Sequence, residues 1–128
     1  MIFVDTSVWV AAFRSRTGAE ARHLDTLLDD DAVALAAPVR LEILAGASKK
    51  NLVALRRTLA ALPVYLPTDA TWIRIDTWID VTVAAGERFG FADLLIGALA
   101  AENGGAIWSL DRDFARMARL KLIDRHVP

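Results

Sequence analysis

Three short apolar runs, Ile2-Phe3-Val4, Val33 to Ala36 and Ala106-Ile107-Trp108, each give way to a helix-like stretch, and this alternation restricts the chain more than any other feature. Strands separated by helices pair in parallel, because the connecting helix must carry the chain back to the same end of the sheet. The pattern therefore predicts an α/β domain with a mostly parallel sheet. With 128 residues and no linker, repeat or low-complexity tract, residues 1–128 are expected to form a single domain.

Local signals fill in the remaining elements. A helix is expected from Ser7 to Phe13, with Thr6 or Ser7 as its cap, and another from Gly18 to Leu28, ending in the solvated turn Asp29-Asp30-Asp31. Pro38 suits a first helical position, and that helix should run to about Gly46 or Ala47. Leu52 to Leu62 follows as a helix, and Val64-Tyr65-Leu66, held between two prolines, as a short edge strand. Thr68-Asp69 opens the longest helix, whose apolar stripe is predicted to be Trp72, Ile75, Ile79 and Val83. Gly86 and Gly90 bound a break. Phe91 to Glu102 is the next helix, Asp111 or Asp113 begins the last, and Leu122-Ile123 is a possible final strand.

Chemistry is expected where strands end. Asp5 and Asp111 each follow an apolar strand at its carboxyl end, the edge of an open α/β sheet where sites form. Glu42 and Asp93 stand among apolar neighbours near the amino ends of predicted helices, where partial positive charge favours a carboxylate. Gly46 and Gly97 lie one turn after these two acids, on the same face, and would admit a backbone or a ligand. Singly, each acid has an ordinary explanation as a cap or a dipole partner. Four acids on four elements, each beside apolar packing, form a set that capping does not explain. Clustered carboxylates suit a hard divalent cation such as Mg²⁺ or Mn²⁺, which takes oxygen ligands and keeps open positions for water. Such an ion activates water and stabilises charge on a leaving oxygen, the requirements of phosphodiester hydrolysis.

At these residues the chain resembles the PIN-domain family, and within it the VapC-type toxins of bacterial toxin–antitoxin pairs. The resemblance runs through Met1-Ile2-Phe3-Val4-Asp5-Thr6-Ser7-Val8-Trp9, Leu41-Glu42-Ile43-Leu44-Ala45-Gly46, Ala92-Asp93-Leu94-Leu95-Ile96-Gly97-Ala98 and Ser109-Leu110-Asp111-Arg112-Asp113-Phe114, in the family's order. It implies a three-layer α/β/α fold, Mg²⁺- or Mn²⁺-dependent endoribonuclease activity, and a VapB-type antitoxin that blocks the site. Carried over residue by residue, it makes Asp5 and Asp93 the principal metal ligands, Asp111 the third, and Glu42 the fourth acid. Thr6 or Ser7 takes the hydroxyl position beside the first Asp. Asp113, two places after Asp111, is expected as a helix cap or outer-shell acid.

Composition bears on partners. The chain is 55% hydrophobic, above the ~45–50% of ordinary domains, which points to surface covered by a second copy or another protein. Its net charge is −1, but if four of the 16 acids hold metal, 12 remain against 15 basic residues, 12 of them Arg. Arg16, Arg40 and Arg112, close to the motifs in sequence, are candidate phosphate contacts beside their plainer reading as solvated charges. His23 and His126 are expected to be isolated, and Trp9, Trp72, Trp78 and Trp108 to serve the core or a dimer contact. There is no cysteine, so thiolate metal sites, disulfides and thiol catalysis are excluded. The apolar run Leu94 to Ala101 is far shorter than the ~20 residues that span a bilayer, and the N-terminus lacks a basic region, so a cytoplasmic protein without membrane attachment is expected.

Two other classes fit parts of the pattern. A receiver-type signalling domain also carries acids at strand ends, but needs an acidic pair after its first strand where Thr6 and Ser7 stand, and no strand-end Asp fits its acceptor role. Ser7 likewise occupies the second-Asp place of a two-Asp phosphatase. A catalytically silent PIN-like binding module would be expected to have lost some of the four acids.

Overall fold

The first strand, β1 (Ile2–Val4), is the middle strand of the sheet. The computed structural model describes residues 1–128. After β1 come α1 (Thr6–Arg14), α2 (Ala19–Asp29), β2 (Val33–Ala36), α3 (Ala37–Ala45), α4 (Leu52–Ala60), β3 (Val64–Tyr65), α5 (Asp69–Ala84), α6 (Phe91–Glu102), β4 (Ala106–Trp108), α7 (Arg112–Arg119) and β5 (Asp124–Arg125). The five strands lie in the order β3-β2-β1-β4-β5, every pair parallel. The chain travels outward from β1 to β3, then returns to the other side of β1 for β4 and β5. The connection reverses direction beside β1 and β4, and a crevice opens at such a reversal. Right-handed crossovers running in the two directions put helices on both faces, which completes the α/β/α layering.

Burial explains the elements. All four residues of β2 are buried, as expected of an inner parallel strand covered on both faces. α6 is buried continuously from Leu94 to Ala100 and runs through the interior as the centre of one helical layer. Phe3 packs edge-on against Tyr65, with ring centroids 5.2 Å apart. The buried apolar residues from Phe3 to Ile123 form one connected cluster.

Several expectations need correction. Neither Thr6 nor Ser7 caps α1; Asp5 does, its side chain accepting from the Ser7 N–H. The inward face of α5 is Thr71, Ile75, Trp78 and Thr82, whereas Trp72, Ile79 and Val83 are 45%, 44% and 70% exposed. Both threonines find partners inside the fold: Thr71 Oγ1 donates to Glu102, and Thr82 Oγ1 to the Ile79 carbonyl. Burial therefore leaves neither hydroxyl unpaired. The final strand is Asp124–Arg125, with Ile123 turned into the core just before it. Gly97 makes room for the core: a Cβ there would stand 3.2 Å from both Met117 Sδ and Trp78. His23 and His126 are partners, Nε2 to Nε2 at 2.8 Å, with stacked rings and His23 edge-on to Trp108.

Candidate metal centre

The register of the central strands builds the centre. Val4 pairs with Trp108, and the Asp5 N–H continues the ladder by donating to the Trp108 carbonyl at 2.9 Å. The residues just beyond the two strands, Asp5 and Ser109, are therefore neighbours. Asp5 is only 7% exposed and its carboxylate is held firmly. Ser7 Oγ and Ser109 Oγ each donate to Asp5 Oδ2 at 2.8 Å, and the Ser7 N–H reaches the same oxygen at 3.4 Å. Oδ1 accepts none of these bonds. The serines are tied in turn: the Leu110 N–H donates to Ser7 Oγ at 3.0 Å, and the Asp111 N–H to Ser109 Oγ at 2.9 Å.

Asp111 caps α7, its Oδ1 accepting from the Asp113 N–H at 2.9 Å. That cap turns Asp113 into the first turn of α7 and toward Asp93, which sits in the first turn of α6. One oxygen from each of Asp93, Asp111 and Asp113 lies within 4.8 Å of the other two. Asp5 lies outside that compact set but close enough to raise the pKa of both Asp93 and Glu42. Asp5 thus stands within electrostatic reach of both the trio and Glu42 of α3.

Charge is unbalanced here. Partial burial comes first in pushing the Asp93 pKa up to about 7, followed by the negative charges of Asp111, Asp5 and Asp113 and a hydrogen bond with Asp113. Burial also raises Glu42, with Asp5 adding to the rise and the Thr6 hydroxyl opposing it. Thr6 Oγ1 is the only buried side-chain polar atom without a well-formed hydrogen bond in the protein. An all-oxygen donor set and a carboxyl whose pKa is raised by neighbouring acids together fit a hard divalent cation. Such donors offer nothing to a soft metal.

The trio groups Asp113 with Asp93 and Asp111, while Asp5, expected as a principal ligand, lies outside the trio and beside Asp93. The anticipated cap role of Asp113 belongs to Asp111. Glu42 faces a groove of ≈ 570 Å³ between α1, α3 and α4, which Arg16 also lines. Arg16 is paired at 3.2 Å with Asp25, both largely in solvent, a contact worth little energetically. Arg40 is half-buried on α3 and Arg112 exposed beside Asp111, neither in an ion pair. Ser109 and Arg116 have no expected role, yet both touch the acids: Arg116 Nη1 donates to Asp113 Oδ1 at 2.7 Å. Ser109 becomes predictable only with the β1–β4 register, as the hydroxyl residue that must lie beside Asp5.

The sheet is parallel throughout and acids converge at its β1–β4 reversal; the chain belongs to the PIN-domain family, whose model matches residues 2–120. Within it the chain is similar to the VapC ribonucleases: it is 36% identical to a VapC ribonuclease of Mycobacterium bovis, across 94% of this chain and 93% of that one. Its fold is similar to VapBC2 of Rickettsia felis, solved bound to a promoter DNA fragment (TM-score 0.81, 18% identity, 98% of each chain). It also resembles Mycobacterium tuberculosis VapC20, described as a sarcin-ricin loop cleaving toxin (TM-score 0.70, 20% identity, full coverage of both chains). Membership sets aside the receiver and phosphatase readings. No helix is long and apolar enough to cross a membrane.

Proposed function

We propose that this chain is a divalent-metal-dependent endoribonuclease, the toxin of a VapBC-type toxin–antitoxin pair. The observation that carries the reading is the convergence of Asp93, Asp111 and Asp113 within 4.8 Å beside Asp5, at the carboxyl edge of the sheet. The 36% identical relative named a ribonuclease supports the same activity.

Asp93, Asp111 and Asp113 would hold Mg²⁺ or Mn²⁺, with Asp5 beside them and Glu42 as the outlying acid. When bound, the ion supplies an activated water and stabilises charge on the leaving oxygen. The chain's own residues prepare the site. Ser7 and Ser109 fix the rotation of Asp5. Asp93 holds a proton near neutrality that a cation must displace. Thr6 steadies the charge on Glu42. Arg40 and Arg112, free of ion pairs, are available to the phosphate backbone, whereas Arg16 must first leave Asp25.

The solved VapBC complexes of similar fold support a VapB-type antitoxin as partner. The exposed Trp72, Ile79 and Val83 of α5 support a second copy of the chain as another. An RNA substrate supports a cytoplasmic site of action. The test is cleavage of a mixed cellular RNA pool with Mn²⁺, with EDTA, and with Asp93→Asn. Discrete fragments that require both metal and Asp93 are expected. Mn²⁺ binding with no cleavage in any lane would make the chain a silent binding module.

A further inference from the structure

We propose that Arg116 is a positioning residue for the metal centre, clamping the segment that leads into α6 onto α7 and so setting the distance of Asp93 from Asp111 and Asp113. The inference rests on the ribonuclease reading and concerns how its ion is held. The acids come from two different helices: Asp93 opens α6, whereas Asp111 and Asp113 open α7, which follows β4 in the chain. Their spacing therefore depends on whatever joins those two helix starts.

Arg116 joins them. On α7, one turn after Asp113, its Nη1 donates to Asp113 Oδ1 at 2.7 Å. Its Nε donates to Glu87 Oε2 at 3.0 Å, and its Nη2 contacts both that oxygen and the Arg88 carbonyl, the latter at 2.9 Å. The guanidinium carbon lies 4.4 Å from the centre of the Phe89 ring. Residues 87 to 89 immediately precede Gly90, the N-cap of α6. One planar group thus grips the entrance of α6 with its Nε edge, its Nη2 and its face, while its other nitrogen fixes Asp113. Only a guanidinium offers donors in that fixed fork; an ammonium is a point charge.

A simple counter-charge and a clamp predict opposite signs. If Arg116 acted only by its charge, which repels a cation, Arg116→Gln would tighten Mn²⁺ binding. A clamp predicts weakening, by about 10–100-fold as for other groups that orient metal ligands. The experiment is calorimetric Mn²⁺ titration of the full chain and of Arg116→Gln, Arg116→Lys, Glu87→Gln and Asp93→Asn, with the melting temperature of each. Expected are weakening in Arg116→Gln, partial recovery in Arg116→Lys, and weakening in Glu87→Gln, which leaves the Arg116–Asp113 pair in place. Unchanged or tighter binding in a folded Arg116→Gln overturns the proposal, and so does unchanged binding in Glu87→Gln should Arg116→Gln fail to fold. If the parent chain itself binds no Mn²⁺, the metal-dependent reading falls and takes the clamp with it. Binding by the parent but not by Asp93→Asn keeps the two failures distinct.

Discussion

Asp5 and Asp93 are held in opposite ways. Asp5 receives two hydroxyls and a backbone N–H on one oxygen, whereas Asp93 faces only other acids and keeps its proton to about pH 7. The sign of the consequence follows from the raised value. Below the unfolded pKa near 3.8 both states are protonated and stability is intact; as pH climbs toward 7 the unfolded chain releases the proton first, and stability is lost. The metal-free protein should therefore lose of order 5 °C in Tm between pH 4 and 7 relative to Asp93→Asn, a difference read by paired thermal melts. Because Mn²⁺ displaces that proton, its affinity should rise across the same window and level off above it, which titrations at a series of pH values will measure. Asp93→Asn should also lower RNA cleavage at least about a hundredfold, since groups that merely orient ligands already cost 10–100-fold. Asp5, Asp93 and Asp111 are readable from sequence because strand ends and helix starts mark them. The division of labour between Asp111 and Asp113 is not, because two acids two places apart compete for one cap and only the backbone at the start of α7 decides between them.

Among the elements, α5 departs most from expectation. Apolar side chains occur all around it, so periodicity alone admits more than one inward face, and the face chosen carries two threonines whose hydroxyls are satisfied within the fold. The turn between α6 and β4 is tighter than its sequence suggests: a Cβ on Gly105 would stand 2.7 Å from the buried Phe3 ring. Gly105→Ala should cost about 1–3 kcal/mol, measured by denaturant unfolding. The end of the chain is joined to α2 by the His23–His126 contact. Burial, then His23 and the N-terminal ammonium, lower the pKa of His126. Stability from this group is present above its unfolded pKa near 6.5 and is lost as pH falls through the lower folded value. His126→Asn should remove that acid-side loss in melts followed from pH 7 to 5. Two histidines 103 positions apart give no sign of each other in sequence; only the placement of β5 beside β4 brings them together.

For the molecule as a whole, the parallel α/β class followed directly from the alternation of Ile2–Val4, Val33–Ala36 and Ala106–Trp108 with helices. Strand order did not, because which strand lies beside which depends on long-range pairing that no local pattern carries. The exposed ridge on α5 agrees with the apolar surplus of the composition. We expect a dimer in sedimentation, and Ile79→Asp combined with Val83→Asp should yield monomers with little change in Tm, since neither side chain is buried. The central position of β1 has a further result. A ribosome makes β1 before β4, which seats Ser109 beside Asp5, and before the start of α7, which brings Asp111 and Asp113. Until β4 and α7 are made, Asp5 and Glu42 stand without the acids of α7. A transcript broken before the codon for Asp111 then specifies a chain without Asp111 and Asp113, so the centre is assembled only from messages translated past that point.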